Sequence, residues 1–167
     1  MFALFAGTLV PLMLSSLVSL KIMPDGRLLV LLPIISAFVT DAGAYFTGKF
    51  VGKRKAFPHI SPKKTVEGCI GGLAVGVASM PIYGAILILT TYHGIVFWAL
   101  IIYGLAGGVL TELGDLAFSL IKREYNIKDY GRLLPGHGGI LDRFDSMVFT
   151  APAIYLLAAV IPAIVIN

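Results

Sequence analysis

Five long apolar blocks, separated by polar connections of unequal length, cover residues 1–20, 28–50, 66–92, 95–121 and 144–166. Each is long enough to cross the hydrocarbon core of a bilayer as a helix, which takes about 20 residues. The first block has the position of a signal peptide. It lacks a basic start and a small-residue cleavage site, and its apolar run is too long, so it reads as a span. The pattern predicts an all-α fold: a polytopic transmembrane bundle of about five helices with two long cytoplasmic loops, forming one domain over residues 1–167.

Composition agrees with a lipid surrounding, since 57% of residues are hydrophobic and only 13% charged, where a soluble domain carries about 25% charged. The 13 Lys and Arg lie outside the apolar blocks or at their ends. Lys49, Lys53, Arg54, Lys55, Lys63 and Lys64 mark the second connection, and Lys122, Arg123, Lys128, Arg132 and Arg143 the fourth, so one membrane face holds 11 of the 13. Connection 91–94 has none and reads as a tight turn, with His93 an interfacial residue. The positive-inside rule makes the basic face cytoplasmic, with the amino terminus in and the carboxyl terminus out of a cell or inner membrane. A single cysteine, Cys69, excludes an internal disulfide.

Small residues recur four apart at Gly68, Gly72 and Gly76 and again at Gly104 and Gly108. Such stripes let helix backbones approach closely in lipid. Packing within the chain is the expected use, and the seam of a homodimer the alternative. Pro81 and Pro152 are expected to bend their helices.

Six of the nine acidic residues, Asp41, Glu67, Glu112, Asp115, Asp142 and Asp145, fall within helices or at their mouths, all toward the cytoplasmic ends. Carboxylates at such depth cost at least about 2.5 kcal/mol each and need partners. Glu112, Asp115, Ser119 and Lys122 follow i, i+3, i+7 and i+10, one helix face. Asp142 and Asp145 share another face, and Asp41 and Tyr45 a third. Where the three converge, carboxylates meet a belt of Lys and Arg. That mixture suits Mg²⁺, which takes hard oxygen ligands and keeps places for water and substrate phosphates, with nearby cations gripping the phosphates. For Asp41, a salt bridge or a helix cap is the structural alternative to a ligand role. Asp25, Glu124 and Asp129 read as solvated charges, and His59 carries no role.

Two connections carry motifs. Ser61-Pro62-Lys63-Lys64-Thr65 leads into the third span, with Ser61 as N-cap and Pro62 at the first helical position. The free N–H groups of that helix start, beside two lysines, form a phosphate cradle. The second motif runs Ser119-Leu-Ile-Lys122-Arg123, Lys128-Asp129-Tyr-Gly131, then Leu134-Pro135-Gly136-His137-Gly138-Gly139-Ile140-Leu-Asp142-Arg143-Phe-Asp145-Ser146. It resembles the signature of the CDP-diacylglycerol synthases, also called phosphatidate cytidylyltransferases. Asp41-Ala-Gly-Ala-Tyr45-Phe-Thr-Gly48, Ser61–Gly68 with Gly71-Gly72, and Gly114-Asp115-Leu-Ala-Phe-Ser119 are similar to that family as well. The resemblance covers roughly residues 28–152. Members usually have several more helices before the segment matching Leu28, so a truncated or short member is expected.

The resemblance implies Mg²⁺-dependent transfer of CMP from CTP to phosphatidic acid, giving CDP-diacylglycerol and pyrophosphate. Mg²⁺ is the cofactor, alone or with a second cation. Asp115 and Asp142 are assigned first as its ligands, with Asp145, Glu112 and Ser119 as further candidates for the same site. Lys122, Arg123, Lys128 and Arg143 would neutralise triphosphate or lipid phosphate, as would Ser61, Lys63, Lys64 and Thr65 from the other loop. Asp41 joins the substrate site. Gly138 and Gly139 admit a phosphate close to the backbone, and His137 donates to one or shapes the turn. A CTP-dependent polyprenol or phytol kinase is the enzymatic alternative and would need a base. A small cation channel is the non-enzymatic one, although eleven bases on one face would repel cations. A CDP-alcohol phosphotransferase fits less well, because Asp142 and Asp145 are three apart rather than four. No nucleic-acid partner is expected.

Overall fold

The computed structural model describes residues 5–90, 93–127, 129–131, 139 and 141–166. The chain forms α1 (Val10–Ile22), α2 (Gly26–Leu29), α3 (Leu31–Phe50), β1 (Lys55–Phe57), β2 (Ser61–Thr65), α4 (Val66–Thr90), β3 (His93–Ile95), α5 (Phe97–Glu124), α6 (Leu141–Val160) and β4 (Ile164–Ile166). Four helical stretches are long and apolar enough to cross a membrane: Gly26–Phe50, Val66–Thr90, Phe97–Glu124 and Leu141–Val160. The helical bundle expected from the apolar blocks is therefore present.

The first expected span is shorter, an apolar helix over Gly7–Ile22. Its first turn, Phe5–Leu9, is wound as π-helix. Pro11 accounts for this, because it has no N–H to return to the carbonyl of Gly7 and α-type bonding stops there. The fifth block also differs. Its helix ends at Val160, where Pro162 cannot continue the ladder, and the segment beyond it becomes β4. This strand pairs antiparallel with β3, Ile95 facing Ile164 and Gly94 facing Val165. The expected turn at 91–94 is thus a strand from His93 onward, while Thr91 and Tyr92 lie outside the described residues.

Helices in lipid associate through close packing rather than through expulsion of water. Here α3 and α4 meet along the glycine stripe. A Cβ on Gly72 would stand 2.8 Å from the Thr40 carbonyl oxygen, and one on Gly76 2.1 Å from Thr40 Oγ1. Gly104 lies against Val77, whose carbonyl is the one Pro81 leaves without its helical donor. Both glycine stripes are thus packed from within the chain, the use expected of them. Pro81 and Pro152 lie inside α4 and α6, which run on through them.

At the end of the bundle that carries β3 and β4, the core contains Leu20, Leu32, Met80, Leu100, Tyr103 and Ile154. Tyr83 and Tyr103 anchor this end, their hydroxyls donating to the carbonyls of Leu28 and Ile161 at 3.0 and 2.6 Å. Midway, the Thr111 and Thr150 hydroxyls join α5 to α6 at 3.0 Å. The opposite end opens into a polar cavity.

One helix start is corrected. Ser61 is no N-cap, because residues 61–65 pair with β1, Lys55 facing Thr65 and Phe57 facing Ser61. Helix α4 begins only at Val66, and Thr65 caps it, Oγ1 accepting from the Gly68 N–H at 3.1 Å. The Val66 N–H goes to the Arg54 carbonyl at 2.9 Å. With these two donors taken, the helix start is not the open phosphate cradle expected from its sequence.

Candidate active site

A cavity of about 530 Å³ lies between the hairpin β1–β2 and the facing ends of α3, α4, α5 and α6. Five carboxylates line it, Asp41, Asp115, Asp129, Asp142 and Asp145, with five cations, Lys49, Lys63, Lys64, Lys122 and Arg143. Tyr45, Thr65, Gly68 and Cys69 complete much of the wall.

Two lysines hold the acids in pairs. Lys64, projecting from β2, reaches Glu112 at 2.5 Å and Asp115 at 2.8 Å on α5. Burial pushes the Lys64 ammonium toward lower pKa, but the Asp115 and Glu112 carboxylates outweigh it and hold the group well above the usual lysine range. Lys122, two turns further along α5, reaches Asp142 at 3.1 Å and Asp145 at 3.9 Å on α6. The faces read from helical spacing therefore converge. Asp41 joins from α3, accepting from Ser146 Oγ at 2.8 Å.

Asp142 has a double engagement. Its Oδ2 accepts from the backbone N–H groups of Tyr130 and Gly139, both at 2.9 Å. The other oxygen, Oδ1, is the one that meets Lys122. One carboxylate thereby ties α5, the following connection and α6 together. Tyr130 adds a second tie, its hydroxyl donating to the Phe118 carbonyl at 2.9 Å. Burial, with the charges of Asp142 and Asp145, pushes the Tyr130 phenol up to about 12.

Of the residues singled out in the sequence, Asp41, Asp115, Asp142, Asp145, Lys63, Lys64, Thr65, Lys122 and Arg143 line the cavity together. Among the described residues, the remainder stand off its wall. Glu112 sits behind Lys64, Ser119 is buried on α5, and Ser61 is in the hairpin. Gly139 serves Asp142, and Arg123 donates from Nε to the Ile60 carbonyl at 3.1 Å. Glu67 accepts from the Lys53 and Arg54 amides at 3.1 and 3.2 Å, holding the hairpin. Lys128, His137 and Gly138 lie outside the described residues.

Lys49, Tyr45, Asp129 and Ser146 were passed over as site residues. Tyr45 and Lys49 continue the face of Asp41 at i+4 and i+8, which was the available signal. Ser146 adjoins Asp145. Asp129 had no periodic signal, since it lies in a connection.

Among the described residues, no three Asp, Glu, His or Cys side chains form a group able to hold a metal ion by themselves. Mg²⁺ does not demand that, because it retains waters and completes its shell with substrate phosphates. The donors present fit it. They are hard carboxylate oxygens in one cavity, and Asp142 is oriented by two amides in the way ligating carboxylates usually are. Glu112 Oε1 is buried without a hydrogen bond, while its other oxygen, Oε2, meets the Lys64 ammonium.

The chain matches the model of a family described as the cytidylyltransferase family over residues 1–161. It belongs to that family. Among curated relatives, a phosphatidate cytidylyltransferase of Bacillus subtilis is 48% identical over 120 residues, covering 72% of this chain and 43% of the relative. Those of Staphylococcus saprophyticus and Staphylococcus aureus (strain COL) are 42% and 44% identical over 133 residues, covering 80% of this chain and 50% of each relative. The chain thus spans about half the length of the curated relatives it matches. The family resemblance read from the signature residues holds.

Proposed function

We propose that this chain is the catalytic part of a membrane-embedded phosphatidate cytidylyltransferase, which joins CTP and phosphatidic acid into CDP-diacylglycerol and pyrophosphate. The observation that carries the reading is one cavity, at the end of an apolar bundle, where five carboxylates and five cations face each other. Relatives named for this activity support it.

In the reaction, a phosphate oxygen of the lipid attacks the α-phosphorus of CTP. A new P–O bond forms there as the bond to the β-phosphate bridge breaks, and pyrophosphate leaves with that electron pair. The attacking phosphomonoester has a second pKa of about 6, so it is ionised near neutrality and no side chain must remove a proton. The task is to bring two polyanions together. Lys64, Lys122, Lys63 and Arg143 neutralise the phosphates, and Lys49 serves the lipid side, next to the exposed rings of Tyr45 and Phe50. Asp115 and Asp142 would hold Mg²⁺, with Asp145 beside them, and Asp142 offers Oδ1 once Lys122 turns to a phosphate. When bound, the ion stabilises charge developing on the pyrophosphate. Asp142 also ties Tyr130 and Gly139 to the start of α6 by accepting from their amides.

Lys63, Lys64 and Thr65 of the hairpin and Asp129 line the cavity, and we place that face in the cytoplasm by the positive-inside rule. The carboxyl terminus then lies outside and the amino terminus, after α1 returns along the bundle, inside.

The test is incubation of membranes holding this chain with phosphatidic acid and CTP labelled at its α- or γ-phosphate. Label from the α-phosphate in a CDP-lipid is expected. Label from the γ-phosphate in a lipid alcohol would replace this reading with the kinase, and no transfer would remove both.

A further inference from the structure

We infer that Lys64 is a tethered counter-ion, which occupies the cation position at Asp115 until a nucleotide draws it away. The inference rests on the cytidylyltransferase reading of the same cavity and names how metal and nucleotide binding are coupled there.

Three observations carry it. Lys64 belongs to the hairpin and not to a helix of the bundle, so its position depends on a few attachments. Among them are the Glu67 carboxylate on the Lys53 and Arg54 amides, the Val66 N–H on the Arg54 carbonyl and the Arg123 bond to Ile60. Its ammonium bridges two carboxylates, Glu112 at 2.5 Å and Asp115 at 2.8 Å. The two acids differ in access: Asp115 lines the cavity and its side chain is 27% exposed, whereas Glu112 stands behind and is 12% exposed.

The ammonium therefore covers Asp115, an acid assigned to the divalent ion, and a cation arriving alone must displace it. A triphosphate changes that balance by giving Lys64 a more highly charged anion within the same cavity. As the ammonium moves to the phosphate, Asp115 is released to the ion that accompanies the nucleotide. Metal and nucleotide then bind cooperatively, and linkage makes the effect reciprocal. It also explains why the described carboxylates are spread in lysine-held pairs rather than gathered into a metal cluster.

The test is binding of Mn²⁺ to the purified chain in detergent, followed by the spectroscopic signal of the free ion, with and without CTP. Without CTP, Lys64→Gln is expected to bind Mn²⁺ at least about tenfold more tightly than wild type, the scale of one lost close charge pair. Lys63→Gln, which removes an exposed charge from the same wall, is expected to change affinity less than about threefold. Glu67→Ala removes the one oxygen that accepts from both the Lys53 and Arg54 amides, so it loosens the hairpin without altering the cavity wall and is expected to tighten Mn²⁺ in the same direction, which guards against misfolding of the first variant. In wild type, CTP should tighten Mn²⁺, and in Lys64→Gln that coupling should shrink. Equal Mn²⁺ affinity in wild type and both Lys64→Gln and Glu67→Ala would overturn the counter-ion role, even with transfer from CTP intact. Failure of transfer in the wild-type chain would instead overturn the functional reading, because the Mn²⁺ measurement needs no substrate.

Discussion

Replacing Asp142 with Asn isolates the residue on which both the loop and the charge arrangement depend. The side chains of Asp142 and Lys122 are only 9% and 14% exposed and their charged atoms are 3.1 Å apart. At an effective dielectric constant of about 20, that separation corresponds to about 5 kcal/mol of gross attraction. After desolvation, a hydrogen bond to a charged group is worth about 1.5–3 kcal/mol. Asn retains one acceptor oxygen, which can keep the Tyr130 and Gly139 amides. Its NH₂ then faces the Lys122 ammonium, donor against donor. A net loss of about 3 kcal/mol, expressed at the transition state, is slightly more than a hundredfold in rate. Loss of a metal ligand would deepen it to no detectable turnover. The assay is CDP-lipid formation from labelled CTP by the purified variant, with its yield and monodispersity compared with wild type. A soluble, monodisperse Asp142→Asn chain that turns over within threefold of wild type would refute both roles given to this carboxylate.

Other consequences are equally open to measurement. Lys122→Met leaves Asp142 and Asp145 facing each other without their shared cation, and CDP-lipid formation should fall at least about tenfold; an unchanged rate would show that the pair needs no counter-charge. Gly76→Ala should lower thermal stability in detergent by about 1–3 kcal/mol through overpacking, because its Cβ would meet Thr40 Oγ1. Adding Thr40→Ala should recover most of that loss, and no recovery would mean the strain lies elsewhere. Thr111→Val and Thr150→Val each remove the hydroxyl bridge between α5 and α6, and a double-mutant cycle in detergent should return about 0.6 kcal/mol of coupling, against zero if the bridge is idle. The Tyr130 phenol, raised to about 12, should titrate near that value in the wild-type-minus-Tyr130→Phe ultraviolet difference. A raised pKa makes its contribution to stability complete below the unfolded value of about 10 and lost as pH rises through 12. A midpoint at the ordinary tyrosine value would exclude the burial and the Asp142 and Asp145 charges that raise it.

What could be read from the residues follows the physics of each feature. A bilayer demands length and apolarity, so the middle spans were legible to within a few residues. Helix ends were less so, because they depend on partners distant in sequence. Ser61-Pro62 has the local chemistry of a helix start, yet pairing of residues 61–65 with β1 moves that start to Val66. Likewise the apolar composition of residues 161–166 said nothing of the strand β4, which exists only through β3. In the site, periodicity located the faces of Asp115, Lys122, Asp142 and Asp145. It fixes an azimuth on one helix but not how neighbouring helices are turned, which here the Gly72 and Gly76 contacts with Thr40 decide. Nor does it fix where a long flexible cation ends. Arg123 turned to Ile60, while Lys64 crossed from the hairpin to α5.

That crossing bears on why so many acids survive at membrane depth. An ionised carboxylate there costs at least about 2.5 kcal/mol when it stands alone, and four, Asp41, Asp115, Asp142 and Asp145, line a single cavity. Their tolerance comes from five cations on the same wall, two of which, Lys64 and Lys122, each bridge a pair of acids. A wall balanced in this way has little net charge to attract a lone anion or a lone cation. Each must break existing ion pairs and leave an unmatched charge behind. On the proposed cytidylyltransferase reading, a polyanion arriving with a divalent ion would supply both missing partners at once, and the same balance would favour a metal-bound nucleotide. Neutralising one sign alone, as in Lys122→Met, should therefore impair the site more than removing a matched acid and base together impairs folding. A Lys122→Met, Asp142→Asn double variant that unfolds no more readily than Lys122→Met, yet stays inactive, is the result this balance requires.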